Sequence, residues 1–155
     1  MTSSPLFVLL ILALAGPAPA RGGAGAVAPA PVAARQTLET QNVPVEGGGS
    51  YTDVGAAGLA AMLEKKNFLL VNVHVPYEGE IPGTDLLIPF DKVEANLGKL
   101  PADKGARLVL YCRSGGMSAI AARTLVRLGY TDVWNLDGGM IAWRQARRPV
   151  MQKGR

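Results

Sequence analysis

The sequence predicts an α/β fold: a single domain with a central, mainly parallel sheet and helices on both faces. Three observations predict it. Short apolar runs alternate with segments of helical spacing through residues 51–150; the run Phe68 to Val75 is apolar enough to be buried on both faces; and the apolar run that closes at Tyr111 passes through a glycine-bearing loop directly into a helical pattern. Parallel strands joined by helical crossovers give that alternation, and their two-sided burial gives nearly continuous apolar strands. At 155 residues and 48% hydrophobic content, the chain has material for one core and hardly for two.

Residues 1–20 read as a secretory signal. Leu6 to Ala15 is an unbroken apolar run, shorter than the roughly 20 residues of a membrane span, and Gly16-Pro17 and the small-x-small triplet Ala18-Pro19-Ala20 follow it. Arg21 is then the first mature residue. The expected location is outside the cytoplasm, periplasmic in a Gram-negative bacterium and secreted otherwise, with no stable membrane span after cleavage. Residues 21–50 are rich in Gly, Ala, Pro and Val with no period of 2 or 3.6, which reads as a flexible leader. Its few charges argue against a nucleic-acid arm, so nucleic acid is not an expected partner.

The folded part is expected over residues 51–150. Thr52 or Asp53 can cap a helix carrying Leu59, Met62 and Leu63, closed by Lys65, Lys66 and Asn67. The strand Phe68 to Val75 follows, polar only at Asn72 and His74, and Pro76 ends it. A loop through Ile81-Pro82-Gly83 leads to the apolar run Leu86 to Ile88, and Asp91 opens a weak helix with Val93 and Leu97. Leu108 to Tyr111 is the next strand, Ser118 to Leu128 the next helix, and Gly129 sits where a left-handed cap is wanted. Val133 to Leu136 forms a strand, Asp137-Gly138-Gly139 a turn, and the last helix runs through Trp143. Trp134 and Trp143 read as core. Residues 151–155 read as a basic, solvated tail.

Cys112 is the only cysteine. A single free cysteine is ordinarily a buried structural thiol, but this one stands at the carboxyl end of a strand, where ligands bind in open α/β sheets. It is followed by Arg113-Ser114-Gly115-Gly116-Met117 and then by a helix start. Gly115 and Gly116 allow the loop to turn its N–H groups inward. A helix N-terminus and a nest of amides favour a thiolate and bind an anion on or beside it. Ser118 either caps the helix or turns its hydroxyl toward the sulfur.

The stretch Tyr111 to Ser118, with Gly129-Tyr130-Thr131-Asp132-Val133, Leu136-Asp137-Gly138-Gly139 and Trp143, resembles the carboxyl half of a single-domain rhodanese, and the similarity extends back to Leu69 to Val73 and Ile81-Pro82-Gly83. The resemblance implies a rhodanese-like sulfurtransferase in which Cys112 carries a persulfide, cradled by the six-residue loop Cys112 to Met117 with Ser118 behind it. It implies a small anionic sulfur donor such as thiosulfate or a polysulfide, a thiol, cyanide or protein acceptor, and no cofactor. Three departures stand out. Where the family usually has Asp-x-Arg, this chain has Asn72-Val73-His74; Glu80 replaces the histidine of Gly-His-Ile-Pro-Gly; and Met117 occupies a loop position often held by a cation or hydroxyl.

His74, the only histidine, is expected to replace the family arginine as a structural contact, with Asn72 supporting the same strand end. A thiol-protease dyad would need an orienting partner and a cleft that the sequence does not offer. One Cys and one His are too few for a metal site. Arg113 either attracts an anionic donor or forms a salt bridge outward, while Arg123 and Arg127 read as solvated. Two other functions compete with sulfur transfer: a sulfur-carrying or protein-binding module that does not turn over free donors, and a phosphatase or arsenate reductase. The last uses an arginine six positions after its cysteine, where this chain has Ser118.

Overall fold

The computed structural model describes residues 39–152. The signal expected over residues 1–20, most of the leader and the last three residues of the basic tail lie outside them. No helix among the described residues is long and apolar enough to cross a membrane.

Six strands form one sheet: β1 (Thr40–Pro44), β2 (Ser50–Val54), β3 (Leu69–Asn72), β4 (Leu86–Leu87), β5 (Leu108–Tyr111) and β6 (Val133–Leu136), in the spatial order β1-β2-β6-β5-β3-β4. β1 pairs antiparallel with β2, and every other pairing is parallel. The expected mainly parallel α/β sheet is therefore present, with β5 at its centre. All four residues of β5 are buried, as a strand covered on both faces requires.

Alternation sorts the strand residues onto two cores. Val71, Leu108, Leu110 and Val133 pack with Ala121, Ala122 and Leu125 of α2 (Gly116–Arg127). Leu70, Val109, Tyr111 and Leu136 pack on the opposite face with Leu59 of α1 (Ala56–Glu64) and with Met140 and Trp143 of α3 (Gly139–Gln145). Helices thus cover both faces. Two buried polar side chains find distant partners: Asn135 donates its amide to Asp53 at 2.7 Å, and the Tyr111 hydroxyl accepts the Ile81 N–H at 3.0 Å and shares a hydrogen bond with Thr84 at 2.7 Å.

Several local expectations are corrected. The leader read as flexible through residue 50 contains β1 and a turn in which Gly47, Gly48 and Gly49 all have positive φ, so its glycine run is a hairpin corner. β1 is an exposed edge strand of mostly polar residues, so it carries no apolar alternation to reveal it. Thr52 and Asp53 lie in β2, paired in register with Trp134 and Asn135, and the residue preceding α1 is Gly55, which makes no side-chain cap. The strand expected from Phe68 to Val75 contracts to Leu69–Asn72, and the weak helix after Asp91 is a pair of 3₁₀ segments, Phe90–Lys92 and Glu94–Lys99. α2 begins at Gly116, two residues before Ser118. Met151, assigned to a solvated tail, bridges antiparallel to Glu80. Trp143 is buried as expected, whereas Trp134 is half-buried and donates its ring N–H to Asp132.

Tyr111 supplies the first prediction. Tyr111→Phe strands the buried Ile81 N–H and should lower the unfolding free energy by about 1–3 kcal/mol near neutral pH. Burial pushes the Tyr111 phenol from 10.0 up to about 12. A raised value in the fold means that this residue's contribution is complete below pH 10.0 and is lost as pH rises through about 12. Denaturant unfolding of both proteins should therefore show a difference that shrinks across that window, and a constant difference would contradict the assignment.

Candidate active site

β5 delivers Cys112 to the carboxyl edge of the sheet between β6 and β3, where the loop through Gly115 turns back over it and α2 begins. The thiol is buried. Gly115 donates its N–H to Sγ at 3.1 Å, and the buried Ser118 hydroxyl stands 3.4 Å from Sγ and 3.1 Å from the Gly115 carbonyl. One hydroxyl proton serves one acceptor at a time, so Ser118 can move its donation between the loop and the sulfur. α2 adds the positive end of a 12-residue helix on the same side. Of the two roles left open for Ser118, the structure shows the one facing the sulfur.

The loop keeps this shape because its outer carbonyls are satisfied elsewhere. Met140 and Ile141, in the first turn of α3, donate their N–H groups to the carbonyls of Cys112 and Arg113, both at 2.9 Å. Orphan amides of one helix start thereby fix the loop that leads into another. Close backbone approach makes this possible: Gly139 has φ +55°, and a Cβ there would overlap the Cys112 carbonyl oxygen and the Arg113 carbonyl group. Gly115, at φ +94°, is left-handed and packs against the Gly138 backbone.

The remaining expected residues divide by position. Arg113, Ser114 and Gly116 are exposed on the rim, and Met117 is half-buried against the core that contains Cys112. Asn72 is buried; its amide donates to the Gly79 carbonyl at 3.0 Å and its carbonyl accepts the His74 N–H at 3.0 Å, closing the turn after β3. His74 is buried with neither ring nitrogen hydrogen-bonded, which leaves no hydrogen bond to Cys112 for a catalytic dyad. Its Nε2 is 3.6 Å from Glu78 Oε2, and the same oxygen lies 3.5 Å from Arg113 Nε. Arg113 therefore adopts the ion-pair arrangement.

Sequence reasoning missed Glu78, whose spacing of four from His74 was the available signal, and Gly139, read only as a turn residue. Arg127 is exposed as expected, while Arg123 lies 5.7 Å from the Tyr51 ring centre. Among the described residues no group of three or more His, Cys, Asp or Glu could hold a metal ion. Ser118 fills the position where a phosphatase loop carries its arginine, and its hydroxyl meets the sulfur.

Two variants separate the loop's close approach from its open side. Gly139→Ala should destabilise the protein by about 3 kcal/mol, from backbone overlap at a left-handed position. Gly116→Ala, whose added Cβ meets nothing within 4 Å, should be neutral or stabilising by up to about 1 kcal/mol at the start of a helix. Urea unfolding measures both, and equal effects would contradict this packing.

Comparison with known proteins agrees with the geometry. The rhodanese-like domain family matches residues 56–146. A sulfurtransferase of Allochromatium vinosum is 34% identical over 93 residues, covering 58% of this chain and 84% of that protein. A Mycobacterium tuberculosis protein named probable adenylyltransferase/sulfurtransferase MoeZ is 36% identical over 90 residues, which is 56% of this chain and only 22% of that protein. Among solved structures, a rhodanese-like domain protein from Staphylococcus aureus superposes with a TM-score of 0.52 at 32% identity, covering 59% of this chain and 89% of that one. The chain belongs to the rhodanese-like domain family.

Proposed function

We propose that the protein is a sulfurtransferase that moves sulfane sulfur from a small donor, such as thiosulfate or a polysulfide, to a thiol or cyanide through a persulfide on Cys112. The observation that carries this reading is the Gly115 N–H aimed at Sγ from 3.1 Å, with the Ser118 hydroxyl on the same atom. Hydrogen-bond donors fixed beside a sulfur stabilise negative charge on it without reorganising during the reaction.

In the first half-reaction the Cys112 thiolate attacks the outer sulfur of the donor. An S–S bond forms to Cys112, the donor's own S–S bond breaks, and its electron pair leaves on sulfite or on the shortened sulfur chain. In the second, the acceptor attacks the outer sulfur of the persulfide and the electron pair returns to Cys112. No external oxidant or reductant is consumed. Gly115 and Ser118 stay with the inner sulfur, which alternates between thiolate and disulfide-like states and needs its donors most when charged.

A second reading has a specific observation behind it. The Nε of Arg113 faces Glu78 at 3.5 Å, which offsets the loop's one positive charge, and Met117 is an apolar side chain half-buried against the core. Those features suit a carrier that receives sulfur from, and passes it to, a protein partner with little turnover of free donors.

Thiocyanate production from thiosulfate and cyanide separates the two. The enzyme reading predicts turnover that Cys112→Ser abolishes and that Ser118→Ala lowers roughly tenfold, the worth of one charge-assisted hydrogen bond of about 1.4 kcal/mol. Turnover that survives Cys112→Ser would contradict sulfur transfer at this residue; negligible turnover in the wild type, with transfer to a protein thiol retained, would favour the carrier.

A further inference from the structure

Charge at the mouth of the Cys112 loop is arranged in an unusual way for a site that would take an anion. Arg113 is the only cation in the loop, and its Nε faces Glu78 Oε2 at 3.5 Å. Glu78 is not a chance neighbour. Its carbonyl accepts hydrogen bonds from the Arg144 guanidinium at 3.4 Å and from the Gln152 amide at 3.3 Å. The next residue's carbonyl is held by Asn72 at 3.0 Å, and Glu80 is bridged to Met151 through two backbone hydrogen bonds of 2.8 Å. On the inner side the same carboxylate oxygen is 3.6 Å from Nε2 of the buried His74. The end of β3, helix α3 and the C-terminal segment thus hold the backbone around Glu78, and its carboxylate lies beside the loop's one cation.

The consequence follows from the charges of the reactants. Thiosulfate brings a dianion to a thiolate and must expel a second dianion, sulfite, so its approach and departure both need uncompensated positive charge. An organic persulfide brings at most a small net charge: the thiolate attacks the terminal sulfur of R–S–SH, the new S–S bond forms on Cys112, the old one breaks, the electron pair leaves on R–S⁻, and the proton remains on the transferred sulfur. Nothing in that exchange calls for a free guanidinium. With Arg113 compensated and Met117 apolar and half-buried, the loop offers a short, nearly neutral mouth.

We propose that Glu78 is a specificity-determining residue that masks Arg113 and selects organic persulfides of low net charge over thiosulfate as the sulfur donor; this rests on the reading of Cys112 as the sulfur-accepting residue. Glu78 acts through Arg113, so it is a positioning residue, and its signature is a change in donor preference.

The test measures the rate of Cys112 persulfide formation anaerobically, by rapid quenching and intact mass, with thiosulfate and with cysteine persulfide as the two probes over a range of concentrations. Wild type should load faster from cysteine persulfide at equal concentration. Glu78→Gln keeps the shape and frees the guanidinium, and should raise the thiosulfate-to-persulfide rate ratio roughly three- to tenfold, through a lower half-saturating thiosulfate concentration. Adding Arg113→Ala to Glu78→Gln should return the ratio to the wild-type value, a coupling that a general loosening of the loop would not produce. A wild type that prefers thiosulfate, or a ratio unmoved by Glu78→Gln, overturns the masking role while leaving sulfur transfer intact. Loading of Cys112 by neither probe overturns both readings.

Discussion

The site depends on two backbone hydrogen bonds that never touch the sulfur. The carbonyls of Cys112 and Arg113 are taken by the first amides of α3, and this fixes the direction in which the chain leaves β5. With those carbonyls turned toward α3, the following residues curl back and bring the Gly115 N–H onto Sγ. The arrangement requires two helix starts to meet at one strand end, and their backbones come so close that Gly139 has no room for a side chain. Two of the unsatisfied amides at a helix start become the support of the site.

That constraint explains why the central part of the protein was legible in its amino acids and the periphery was not. Leu108–Tyr111 and Val133–Leu136 lie where their apolar character places them, because strands buried on both faces favour apolar residues; Asn135 is the polar member of the second, with Asp53 as its partner. Gly129 has the positive φ that its place after α2 predicts. β1 is different: as an exposed edge strand it satisfies its backbone through β2 alone and needs no apolar pattern, so Thr40–Pro44 looked like leader. Asp53 resembled a helix cap because short polar residues serve both purposes; its real partner is the Asn135 amide, 82 residues away in the chain. Glu78 escaped notice for a related reason. Its spacing of four from His74 is a local signal, but Arg113, Arg144 and Gln152 converge on it from distant parts of the chain, and no local spacing encodes those contacts.

The replacements that set this chain apart from its family resemblance also form a connected set. Asn72 holds the Gly79 carbonyl and the His74 N–H, His74 faces Glu78, and Glu80 is tied to Met151. The segment after β3 is therefore stitched to the C-terminal residues mainly through backbone hydrogen bonds, and the Glu78 carboxylate lies beside the loop cation. A chain with a formal net charge of +4 thus keeps the entrance to its thiol close to neutral. Surface charge governs encounter at long range, whereas the compensated pair governs what is tolerated at contact.

The central claim is that the sulfur beneath the Gly115 amide is the atom that accepts transferred sulfur. Peptide-level mass spectrometry, on protein treated with a sulfane-sulfur donor without oxygen and digested under acidic conditions, addresses it most directly. The account predicts one added sulfur on the peptide containing Cys112, removed by cyanide and retained when the protein is incubated alone. A Cys112 peptide that stays unmodified under every donor, while the intact fold is preserved, would contradict it.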